Sequence, residues 1–266
     1  MAWVESHSPS FSARHEERDA DAAAEMLAQL ERFRIRLDDR FEDTPGEISV
    51  VMHPGPGALS LAHPWLPLAR MATAPAGRRY MAGWFARREI HVLAPDALEA
   101  RASAVPGSRE ALLLTPRHEY AHVVIGANNP AFPPPFTPRT FARYLRWAWL
   151  CEGAATHLAG QTEHLRPAIA RRLREGGRPD FPPAARDAVL LGGTVFAMLD
   201  DERGPDACAR LAARPPDAGG EAAIESAFGR SPAAVEREWR ARLDELRASQ
   251  PGGGPTARSE YRGRTP

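Results

Sequence analysis

His118-Glu119-Tyr120-Ala121-His122 is an HExxH sequence. Residues four apart on an α-helix lie on one face, a turn above each other, so both imidazoles can reach one ion. HExxH on a helix is a common way to supply two zinc ligands. Glu119 follows the first ligand and can contact a metal-bound water instead of the metal, which would make it a general base. Tyr120 lies between the two histidines and should face away from the metal. Thr115-Pro116 just upstream fits a helix start, with Thr115 as N-cap and Pro116 in the first turn. A single longer helix kinked at Pro116 is the alternative. Val123, Val124 and Ile125 would anchor the helix in the core, and Gly126 can end it.

Two histidines leave a zinc ion short of protein ligands, so a third donor matters. Trp149-Leu150-Cys151-Glu152-Gly153-Ala154-Ala155 lies about thirty residues downstream, in a segment (141–160) that reads as one helix. A carboxylate among tryptophans and alanines needs a partner if it is buried.

HExxH followed by a helix with a W-x-x-E-G-x-A run resembles the gluzincin metallopeptidases, especially the small bacterial peptidase MA-like domains. The match covers residues 112–160. It implies Zn2+ held by His118, His122 and Glu152, and peptide hydrolysis by a metal-bound water that Glu119 activates. In the thermolysin-like members an Asp one turn past the third ligand orients a zinc histidine. Thr156 stands there in this chain, and its hydroxyl could accept an imidazole N–H, a weaker contact than a carboxylate makes. An edge strand ahead of the zinc helix pairs with extended substrate in this group, a place that falls by position to Met81, Ala82, Gly83 and Trp84. The developing oxyanion needs a donor, for which Tyr144, His157 and His164 are candidates. His157 is about 140° around the helix from Glu152 and so points elsewhere. Related domains often carry a tyrosine ahead of a G-G/S-x-F segment, where this chain has Ala188 and Val189.

Beyond the motif, Asp19 or Asp21 can cap a helix running to about Arg40, with Ala23, Leu27, Leu30 and Leu37 on one face. Strands are expected at 10–15, 47–52, 78–85 and 89–93. His53 and His63 each precede a proline and read as solvated loop histidines; His91 alternates with Ile90 and Val92, facing away from them, and is a candidate for the cleft wall. Residues 128–140 contain five prolines and read as a connector or cleft rim. The paired Gly192-Gly193 inside an apolar helix suggests close packing on a neighbour.

The chain of 266 residues is 43% hydrophobic, enough for a substantial core, and its formal net charge is zero. No basic block supports a nucleic-acid or membrane partner, and no apolar run approaches the roughly 18 residues of a membrane span. The polar N-terminus and two cysteines suggest a reduced, cytoplasmic protein.

The fold expected is α+β and zincin-like: a small mixed sheet on the HExxH helix, then a mainly helical C-terminal half. Residues 1–126 would form an α/β lobe and 127–247 a helical lobe, with 248–266 a disordered tail. Peptide or protein is the expected substrate; oligomeric state is not readable. Two other readings stay open: a zincin-fold binding or regulatory protein without turnover, and a plain α+β domain whose HExxH is coincidental. A thiol nucleophile at Cys151 has no accompanying His or Asn pattern.

Overall fold

A computed structural model describes residues 2–215 and 217–249. β1 (Trp3–His7) and β2 (Phe11–Glu16) form an antiparallel hairpin, where one strand was expected, and lead into α1 (Ala20–Asp38). β3 (Ile48–His53) follows, then the short helices α2 (Pro56–Ala62), α3 (Trp65–Ala72) and α4 (Pro75–Arg78). β4 (Gly83–Phe85) and β5 (Glu89–Leu93) complete a mixed five-stranded sheet of order β1-β2-β3-β5-β4. β2, β3 and β5 run parallel, while β4 is the antiparallel edge. The strand expected from 78 to 85 is thus only three residues long. Met81 and Ala82 lie outside it, and the Met81 carbonyl is held by Arg70 at 2.9 Å.

The rest of the chain is helical. α5 (Pro95–Arg101) and α6 (Ser108–Leu113) precede α7 (Thr115–Asn128), the helix carrying HExxH. Leu114 separates α6 from α7, and the Thr115 hydroxyl donates back to the Leu112 carbonyl at 2.6 Å instead of capping α7. Gly126 does not stop α7. It lies inside the helix, where Pro133 crosses so closely that a Cβ would stand 2.5 Å from its carbonyl oxygen.

After the proline-rich connector come α8 (Pro138–Arg146) and α9 (Ala148–Leu158). These are two helices where one was expected, broken at Trp147 (φ −105°, ψ 24°). α10 (Gln161–Glu175), α11 (Ala185–Arg203), α12 (Pro205–Ala213), α13 (Gly220–Phe228) and α14 (Pro232–Ser249) follow. Ala248 and Ser249, placed in the tail by sequence, close α14; the remainder of that segment lies outside the described residues. No helix among the described residues is long and apolar enough to cross a membrane.

Side chains alternate across a strand, which assigns the two faces of the sheet. Gly83 and Phe85 of β4 meet Glu119 and His122 of α7, and their partners across the ladder, Val92 and Ile90, share that face. Trp84 and His91, also paired, point to the other face, toward His63 at the end of α2. From Thr115 to Gly126 nearly every residue of α7 is buried, as befits a helix enclosed on all sides. Tyr120 is fully buried away from the histidines, its hydroxyl donating to the Pro45 carbonyl at 2.8 Å.

α9 is seated by glycine. A Cβ on Gly153 would lie 2.5 Å from the Gly192 carbonyl carbon, so α9 and α11 touch backbone to backbone. The Gly192-Gly193 pair therefore serves the close packing its sequence suggested.

Candidate metal centre

His118, His122 and Glu152 come together in the interior, contributed by α7 and α9. The two Nε2 atoms are 3.1 Å apart. The Glu152 carboxylate stands 3.4 Å from each, Oε2 toward His118 and Oε1 toward His122. Donors placed tetrahedrally at about 2.1 Å from an ion stand about 3.4 Å from one another. The imidazole pair and each imidazole–carboxylate pair thus stand at about the spacing of neighbouring metal ligands, and two imidazoles with one carboxylate suit a borderline divalent cation.

The hydrogen-bond network sets the His118 tautomer. Gln161, first residue of α10, donates its amide N–H to the Ala111 carbonyl at 2.7 Å. Its Oε1 therefore faces His118 Nδ1, 2.8 Å away, and can only accept. The proton must be on Nδ1, which leaves the Nε2 lone pair of the neutral ring directed at the other two donors, as a ligand histidine requires. His122 is held by stacking on Phe85, with ring centroids 4.3 Å apart.

Glu152 is buried, and burial alone would raise its pKa. His122 and His118 outweigh that and hold it well below the usual carboxylate range. Burial also works to lower His118, but the Glu152 carboxylate prevails and raises it; His122 stays lowered by its burial. Glu119 lies beneath the edge strand. A Cβ on Gly83 would come within 2.5 Å of its Oε1, so only glycine leaves room for the carboxyl group. Burial pushes Glu119 up to about 8, with His118 pulling the other way.

Sequence-predicted residues are divided among several places. Tyr144 reaches the centre from α8, its hydroxyl donating to Glu152 Oε1, and the break at Trp147 permits that reach. Thr156 takes no part in orienting a histidine. Its side chain packs toward Gly193, and its buried hydroxyl has no hydrogen-bond partner. Gln161 does that job, hidden from sequence reasoning because the chain reverses at Gly160 in the left-handed region (φ +82°) before α10 begins. His157 turns to Asp200, 3.1 Å away, and the backbone of His164 lies against Gly107. His53, His63 and His91, read as loop residues or cleft wall, instead cluster on the opposite face of the sheet. The proline-rich connector passes beside the centre through Phe136, whose ring lies 5.0 Å from Phe85 and 6.2 Å from Tyr144.

Comparison with protein-family models, curated proteins and solved structures finds no match to this chain.

Proposed function

We propose that this chain is a zinc-dependent peptide hydrolase of gluzincin type. The observation that carries the reading is the buried His118/His122/Glu152 triad at ligand spacing, with Glu119 beside it under an edge strand. Zinc at such a set acts as a Lewis acid and acidifies water. The roles of the chain's own residues follow from placement. Glu119 accepts a proton from water at its carboxyl group and returns it to the leaving amine, a task suited to a group poised near neutrality. Tyr144, one hydrogen bond from Glu152, can turn its hydroxyl toward the carbonyl oxygen as negative charge develops there. β4, the edge strand of the sheet, would pair with an extended peptide. Gly83 and Trp84 remain in that role, whereas Met81 and Ala82 precede the strand. Phe136 stands against both Trp84 and Phe85 and would have to swing aside to admit substrate.

The test combines metal analysis of the purified protein with a quenched-fluorescence peptide library. Bound zinc of at least one equivalent, with cleavage that Glu119→Gln reduces by about 10²–10⁴-fold, is expected. Cleavage that survives Glu119→Gln would contradict the mechanism.

A second reading is a metal-binding protein of this fold without turnover. It is favoured by the engagement of Tyr144 with Glu152 and by the aromatic cover over β4. Tyr144→Phe separates the two: a large loss of kcat with metal content unchanged belongs to the hydrolase alone.

A further inference from the structure

A second group of donors lies on the other face of the sheet. His91, in the middle of β5, points its Nε2 toward Glu89 Oε1 at 2.6 Å, off the line a hydrogen bond needs. His63, immediately after α2, sets its ring edge-on to His91 with centroids 4.1 Å apart. One donor atom from each of His63, Glu89 and His91 lies within 4.8 Å of the others. Two buried imidazole nitrogens here, His63 Nε2 and His91 Nε2, have no hydrogen-bond partner. Buried polar nitrogens are seldom left so, and each one costs stability. His53 supplies the support a ligand histidine needs, its Nε2 lying 2.9 Å from His91 Nδ1. With the proton on Nδ1 shared with His53, His91 Nε2 keeps its lone pair for an ion.

We propose that His63, Glu89 and His91 form a second site for a divalent transition metal of the zinc or cobalt type. The donor set argues for that class. Two imidazoles and one carboxylate are borderline ligands, whereas calcium and magnesium prefer oxygen. Glu89 is half-exposed, giving an ion a path from solvent.

The site would clip the end of α2 to β5. His63 also borders Trp84, 6.3 Å away between ring centroids, so the clip would brace β4 from the face opposite Glu119. The group His157, Asp200 and Cys208 makes a weaker case. His157 is already paired with Asp200, and the Cys208 thiol donates to the Phe196 carbonyl while burial pushes it up to about 12. This proposal does not depend on the hydrolase reading.

The experiment titrates the metal-stripped full chain with Co2+, followed by its visible absorption, and with Zn2+ against a chromophoric chelator. Wild type should bind two equivalents, and His63→Gln and Glu89→Gln one each. A His118→Gln/His122→Gln double variant should also bind one, and lose it when His63→Gln is added. Glu89→Gln keeps the test open if His63→Gln does not fold. A single equivalent that survives loss of His118 and His122 but vanishes in His63→Gln supports this site and counts against the first. Stoichiometry and affinity unchanged in both His63→Gln and Glu89→Gln would overturn the proposal.

Discussion

Gln161 bridges the backbone of α6 to the ring of His118, donating to the Ala111 carbonyl at 2.7 Å and accepting from Nδ1 at 2.8 Å. An apolar residue of similar size removes both bonds and leaves the His118 tautomer free. Gln161→Leu should weaken metal binding by about 10–100-fold, the usual cost of losing an orienting partner. It should also cost about 1–3 kcal/mol of stability, since it orphans a buried carbonyl. Chelator competition and thermal melts of the metal-free protein read the two effects separately. Unchanged affinity would remove Gln161 from the site.

Gln161 also shows where reading the chain in one dimension stops. The HExxH turn, β5, α1 and the glycine pair of α11 were legible because each is a local pattern at helix or strand period. The position sought for an orienting residue was Thr156, one turn past Glu152 on the same helix. The residue that fills the role sits beyond a left-handed reversal at Gly160, which spacing alone does not encode. Tyr144 needed the break at Trp147, and a continuous helix would have carried it elsewhere. The grouping of His53, His63 and His91 depends on the register of β3 on β5 and on where α2 ends. Proline-rich loop sequence made the first two look solvated.

Glu119 owes its position to an absent side chain. An alanine Cβ at Gly83 would sit 2.5 Å from its Oε1 and 2.6 Å from its Cγ, so the carboxyl group or the edge strand must shift. The three heavy atoms nearest that Cβ all belong to Glu119, which is not one of the metal donors. Gly83→Ala should therefore keep its metal while losing about 10²-fold in kcat, the scale expected when a catalytic group is misplaced by about 1 Å. Metal content and turnover measured on one preparation test this. Full activity would mean that Glu119 does not act from where it stands.

The backbone contact between α9 and α11 sets the depth at which Glu152 meets the histidines. Alanine at Gly192 would press its Cβ to 2.8 Å from the Gly153 Cα and from the Trp149 carbonyl oxygen, both main-chain atoms that cannot rotate away. Alanine gains about 1 kcal/mol of helix propensity over glycine. Overpacking against backbone should outweigh it, at about 1–3 kcal/mol or more. Gly192→Ala should lower Tm by about 5 °C and weaken metal binding as well, because α9 must retreat. A variant as stable as wild type would show that the helices sit farther apart.

Acid stability should depend on Glu31. From α1 its carboxylate accepts the Ser8 hydroxyl at 2.7 Å and the Ser10 amide at 2.6 Å, tying the β1–β2 turn to the helix. Burial alone would raise its pKa, but the Ser8 and Ser10 hydrogen bonds, with Arg34 nearby, bring it below 4.5. The folded chain thus binds this proton less readily than the unfolded chain. The stabilisation is fully present above about pH 4.5 and is lost as pH falls through the lower folded value. Glu31→Gln should cost on the order of 1 kcal/mol at pH 7, since the group is partly exposed and screened, and less at pH 3. Urea melts of the metal-free wild type and variant at both pH values give the difference directly. An equal gap at both would mean the carboxylate charge plays no part in holding the hairpin.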